Sequence, residues 1–66
     1  MTMKEIKKFT FEYNINGKLI NAIGYGTSQF EADRNAIIKT MRNMKVKYDD
    51  IKFIKVISEQ DTGEWI

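Results

Sequence analysis

From Phe9 the chain alternates: Phe9, Phe11, Tyr13 and Ile15 are apolar, and the residues between them, Thr10, Glu12 and Asn14, are polar. A period of two places the aromatic and β-branched side chains on one side of an extended backbone, so the segment reads as a half-buried strand. Asn16-Gly17 follows, and both residue types tolerate the positive φ of a tight hairpin turn. Lys18 to Gly26 is then the returning strand. Two registers fit the pattern. A two-residue turn pairs Ile15 with Lys18, Phe11 with Ala22 and Phe9 with Gly24, so that rings cover small partners while Leu19, Ile23 and Tyr25 point to the other face. A three-residue turn ending in a glycine bulge slips the pairing by one and brings Leu19, Ile23 and Tyr25 beside Phe9, Phe11 and Tyr13.

The period then changes. Ser28 is an N-cap candidate, and Glu31 three residues later completes a capping box. No proline or glycine interrupts Gln29 to Met44. Phe30, Ile37, Met41 and Met44 recur at helical spacing and form an apolar stripe, which Ala32 and Ala36 widen. Glu31 and Asp33 near the start, and Arg42 and Lys45 near the end, suit the helix dipole. Tyr48-Asp49-Asp50 punctuates the chain. Ile51 to Ser58 reads as a third strand with Ile51, Phe53 and Ile57 on one face and Ile54 and Val56 on the other. Asp61-Thr62-Gly63 marks a turn, and residues 58–66 fray or fold back as a short extra strand. The order strand-strand-helix-strand predicts one α+β domain over residues 1–66: a three-stranded antiparallel sheet, order 2-1-3, with one helix on one face. There is no repeat, linker or low-complexity segment.

Composition narrows the function classes. In 66 residues there is no histidine and no cysteine, so the commonest general base, the commonest soft nucleophile and the usual zinc ligands are missing. The sequence therefore predicts a protein that is not an enzyme and uses no cofactor or metal. Without cysteine the chain has no disulfide, which favours a cytoplasmic setting, and no apolar run is long enough for a membrane span. A core this small would supply roughly 3–5 kcal/mol, so a partner subunit is an open route to stability. A net charge of +2 permits nucleic acid as a partner without demanding it. Ten isoleucines, nine lysines, five asparagines and no proline suggest an AT-rich coding sequence, as in a low-GC bacterium or its phage.

The stretch from Phe9 to Met44, slightly over half the chain, resembles the C-terminal half of a double-stranded-RNA-binding domain. The matching positions are Gly17 in the turn, Gly24, Gly26 and Ser28 at the strand end, and Ala32 and Ala36 on the helix. The resemblance implies a sheet-and-helix fold and duplex RNA as ligand. The chain departs from that family where it grips phosphate: Gln29, Phe30 and Asp33 stand in place of its lysines, and no counterpart of its first helix precedes Phe9. The strand order is instead similar to archaeal ribosomal protein LX and to short phage or conjugative-element proteins, a likeness of architecture alone.

Several constellations could carry function. Asp49-Asp50 is a carboxylate pair that reads as a turn. Glu59, Asp61 and Glu64 read as a solvated acidic tail. Gly24-Tyr25-Gly26 before a helix start could meet an anion but lacks the lysine and spacing of a phosphate loop. The basic set Lys39, Arg42, Lys45 and Lys47, with Tyr48 beside it, is a candidate nucleic-acid surface on the outer helix face. With one helix available, one sheet face stays bare. Ile54 and Val56, together with Leu19, Ile23, Tyr25 and Trp65, would make an apolar partner surface there, for another protein or a second copy. The sequence reading is thus a small binding protein of phage or mobile-element type that works through protein–protein contacts on its sheet face or an edge strand; the alternative is a nucleic-acid-binding module that uses the basic helix face.

Overall fold

The computed structural model describes residues 3–66. Strand β1 spans Glu5–Ile15, β2 Lys18–Gly26, helix α1 Gln29–Met44 and β3 Ile51–Trp65, with a single 3-10 turn at Tyr48–Asp50 before β3. The strands form one antiparallel sheet in the order β2-β1-β3, as expected for an α+β fold with a crossover over the first strand. The hairpin takes the two-residue turn, because Ile15 pairs with Lys18, Phe11 with Ala22 and Phe9 with Gly24. Asn16 (φ 53°) and Gly17 (φ 88°) both adopt positive φ, and the Asn14 side chain accepts from the Gly17 amide at 2.9 Å.

The core is one row of β1. Phe9, Phe11, Tyr13 and Ile15 are all at most 2% exposed. Phe9 and Phe11 stack with centroids 5.6 Å apart, and Phe53 meets Phe11 and Tyr13 edge-on at 6.1 and 6.2 Å. Each such side chain stabilises by roughly 1.5–3 kcal/mol through burial, so this row forms the centre of the core, with Ile20, Ile37, Ile51 and Val56 packed around it.

Above this row, α1 buries Ala32, Ala36 and Thr40. The stripe expected from the larger residues is therefore displaced: Phe30 is 78% exposed and Met44 41%. The cause lies in β2. Gly24 and Gly26 have no side chains, so the helix backbone settles directly onto them. A Cβ on Gly26 would lie 2.7 Å from the Ala32 nitrogen. Only the small face of the helix fits that close. Ser28 caps the helix as expected, accepting from the Glu31 amide at 3.2 Å. The returning bond differs from the usual box, because Glu31 accepts from Thr27 N–H at 3.0 Å, one residue before the cap.

Strand β3 departs from the sequence reading. It runs without a break for 15 residues, and residues 58–66 neither fray nor form an extra strand: Trp65 pairs with Glu5, and Lys4 and Ile66 exchange backbone bonds of 2.9 and 3.0 Å. Its pairing with β1 shifts at three places, where Ile54, Ile57 and the pair Thr62-Gly63 are extra residues. Asp61-Thr62-Gly63 is thus an irregularity within a strand rather than a turn. Gly63 takes φ 81° there, and the Thr62 hydroxyl donates to the Ile6 carbonyl at 2.6 Å. Each extra residue upsets a strict period of two. Val56 pairs with Phe11 and packs against the core, so it belongs to the helix side and not to the bare face.

Candidate functional site

The two sheet edges are unequal. Strand β3 is irregular at three places in its pairing with β1, and such bulges bend a strand and so blunt its free edge for further pairing. The edge of β2 is regular, with no register shift over its nine residues. In a two-residue hairpin the closing pair, here Ile15 and Lys18, exchanges hydrogen bonds, and bonded and non-bonded pairs alternate from there. Leu19, Asn21, Ile23 and Tyr25 are therefore the residues whose N–H and C=O point outward. One hydrogen bond fits this parity: the Asn35 side-chain amide reaches around the edge and donates to the Tyr25 carbonyl at 2.8 Å. Among the described residues the outward groups of Leu19, Asn21 and Ile23 have no partner.

Helix α1 runs back along β2 and walls this edge on one side. Asn35, Lys39 and Asn43 follow at four-residue intervals, so they share one row on the helix flank. A cleft between that row and the strand is lined by Ile20, Ala22, Ile23, Lys39, Asn43 and Met44. Its lining side chains include one cation, Lys39, and no acid. Lys39 and Arg42 are exposed, and among the described residues no carboxylate forms an ion pair with either. On the sheet face turned away from the helix, Leu19 (63% exposed), Ile23 (38%) and Tyr25 (50%) give the same strand an apolar flank.

Tyr48 does not share a cleft with Lys39, one of the basic residues expected to accompany it. Lys39 lines the β2 cleft, whereas Tyr48 lines an apolar cleft on the opposite flank of α1 with Phe30, Ile37 and Met41. Lys45 is the left-handed C-cap of the helix (φ 55°). Lys47 opens the 3-10 turn, where its amide donates to Asp50 Oδ2 at 3.0 Å, so Asp49-Asp50 is turn chemistry.

The apolar partner surface divides as well. Leu19, Ile23 and Tyr25 stay together on the bare face. Ile54 sits at a bulge, 45% exposed. Val56 packs inward, and Trp65, 54% exposed, is in register with Glu5, on the helix side of β1. Of the acidic tail, Glu59 and Asp61 pair with Lys7 at 2.8 and 3.9 Å. The hydrogen bond to Glu59, and then its charge, hold the Lys7 ammonium above the ordinary lysine value.

Two features escaped the sequence reading. The first is Asn35, whose spacing to Lys39 and Asn43 was the only available signal. The second is a half-buried contact: the Tyr13 hydroxyl donates to Asp33 Oδ1 at 2.5 Å. Burial, and then this bond, hold the Tyr13 phenol well above its ordinary value. Asp33 thus serves β1 from the helix.

Among the described residues no group of three or more metal-ligating side chains converges. No helix of the described chain is long and apolar enough to cross a membrane. Comparison with known protein families, with curated proteins and with solved structures finds no match.

Proposed function

We propose that this chain is a non-catalytic protein-binding domain that docks its partner along the free edge of β2 and the adjoining apolar residues Leu19, Ile23 and Tyr25. The observation that carries the reading is the asymmetry of the edges: β2 is regular and unpaired at Leu19, Asn21 and Ile23 among the described residues, while β3 shifts register at three places. An exposed regular edge is a template for main-chain pairing, and natural domains either blunt it or use it.

A second copy fits this edge poorly. A two-fold pairing of β2 with itself centred on Asn21 would set the two Lys39-lined clefts side by side, like charge facing like charge. The nucleic-acid reading has less support, because Tyr48 and Lys39 line different clefts of α1, so the ring does not stack beside that cation.

Site-directed photo-crosslinking in an extract of the source cell tests the reading. A crosslinking residue at Ile23 should give discrete protein adducts, and one at Ser58, on β3, should not. Equal adducts from both positions, or nuclease-sensitive adducts from Ile23, would contradict it.

A further inference from the structure

We infer that the β2 edge takes an extended acidic peptide as a fourth strand of the sheet. This rests on the reading of β2 as the docking edge and adds the chemistry of what docks there.

Three features of the edge select the ligand. First, Leu19, Asn21 and Ile23 present donors and acceptors alternately along the strand direction. Another peptide backbone satisfies both at the strand spacing, whereas a nucleic-acid backbone offers mainly phosphate acceptors and no N–H donors for the outward carbonyls. Second, the side chains of an added strand alternate in facing. Those on the bare face lie beside Leu19 and Ile23, which are 63% and 38% exposed, and apolar cross-strand neighbours are favoured there. Those on the helix side enter the cleft below Lys39 and Asn43. Third, the charged residue that lines the cleft is a cation, Lys39. Lys39 and Arg42 on the helix flank and Lys18 at the start of β2 are exposed, and no acid lines the cleft. Carboxylates on the helix side of the added strand would find these cations unpaired. Lysines there would meet like charge. The ligand is therefore a strand with alternating apolar and acidic residues. Asn35, which occupies the Tyr25 carbonyl, marks where the pairing ends.

The probe is a synthetic peptide of about seven residues, enough to span Leu19 to Ile23 with a margin, in which valine and glutamate alternate. Its affinity is measured by fluorescence anisotropy against two controls: the valine–lysine counterpart, and the same composition with the glutamates in one block. Only the alternating acidic peptide should bind, and more weakly as salt rises. Two variants separate charge from main chain. Lys39→Glu combined with Arg42→Glu should weaken binding at least about tenfold through the reversed local field. Asn21→Pro should abolish binding, because it removes an outward N–H that pairs with nothing inside the sheet; its thermal midpoint confirms that the fold persists. Equal binding of the lysine peptide, or no effect of the charge reversal, would overturn the inference. So would displacement of the acidic peptide by single-stranded RNA. If protein adducts form at Ile23 and the acidic peptide does not bind, the acidic strand is wrong and the docking edge stands; if both fail, the edge itself is wrong.

Discussion

The backbone of α1 rests on Gly24: a Cβ built there would overlap the carbonyl oxygen of Ala32 and stand 2.9 Å from the Cβ of Ala36. The obstacle is main chain, so no rotamer change relieves it. Gly24→Ala must lift the helix off β2 and open the core beneath. Overpacking typically costs about 1–3 kcal/mol, and this variant should lie at the upper end or beyond, with loss of cooperative melting by circular dichroism. Melting like the parent would mean that the helix does not sit on this strand as described.

The cap gives a smaller effect. Ser28 accepts from the Glu31 amide, so Ser28→Ala should cost about 1 kcal/mol. Glu31→Gln should cost less, because its side-chain oxygen can still accept from Thr27. Chemical denaturation resolves both. No change for Ser28→Ala would remove the cap from the energetics.

Tyr13 links stability to pH. Its phenol is buried and donates to Asp33, which raises its pKa in the folded state. A raised folded value means that the unfolded chain loses the proton first. The stabilisation is fully present below the ordinary phenol value of about 10 and falls as pH rises above it. Lys7, also raised, follows the same sign in a neighbouring window. Tyr13→Phe should lower stability by about 1–3 kcal/mol at neutral pH, since it leaves the Asp33 carboxylate without its donor. It should also flatten the alkaline decline. An identical decline in parent and variant would assign it to lysines alone.

A second copy was one of the two partners the sequence left open, with Ile54, Val56 and Trp65 among its contacts. The structure gives that interface little to work with: Val56 packs inward and the β3 edge is bulged. Sedimentation over a wide concentration range should show a monomer, with Trp65 fluorescence unchanged. A dimer with a buried indole would restore β3 as an interface.

Much of this fold was legible because local signals and tertiary demands agreed. Phe9 to Ile15 alternate, Asn16-Gly17 turns, and Ser28 caps. The hairpin register was not legible, because both turn lengths satisfied the local pattern and only the helix seated on Gly24 and Gly26 separates them. The helix face was legible in part: Ala32, Ala36 and Ile37 face the core as the stripe implies, but Phe30 and Met44 turn outward because closeness to glycine selects small side chains. In β3, periodicity failed at Ile54 and Ile57, where extra residues shift the faces without any glycine or proline to announce them. Of the candidate site, Leu19, Ile23, Tyr25, Lys39 and Arg42 were visible as residues, in two separate sets. That they flank a single edge depends on α1 running back along β2, which no local pattern encodes.

The most direct test of β2 as a docking edge is amide hydrogen exchange, read residue by residue by NMR, with and without the alternating valine–glutamate peptide. In the free chain the outward amides of Leu19, Asn21 and Ile23 should exchange fast, while those of Ile20 and Ala22, bonded to β1, exchange slowly. Saturating peptide should slow Leu19, Asn21 and Ile23 selectively and leave β3 unchanged. Protection on β3 instead, or no change along β2 at saturation, would contradict the assignment.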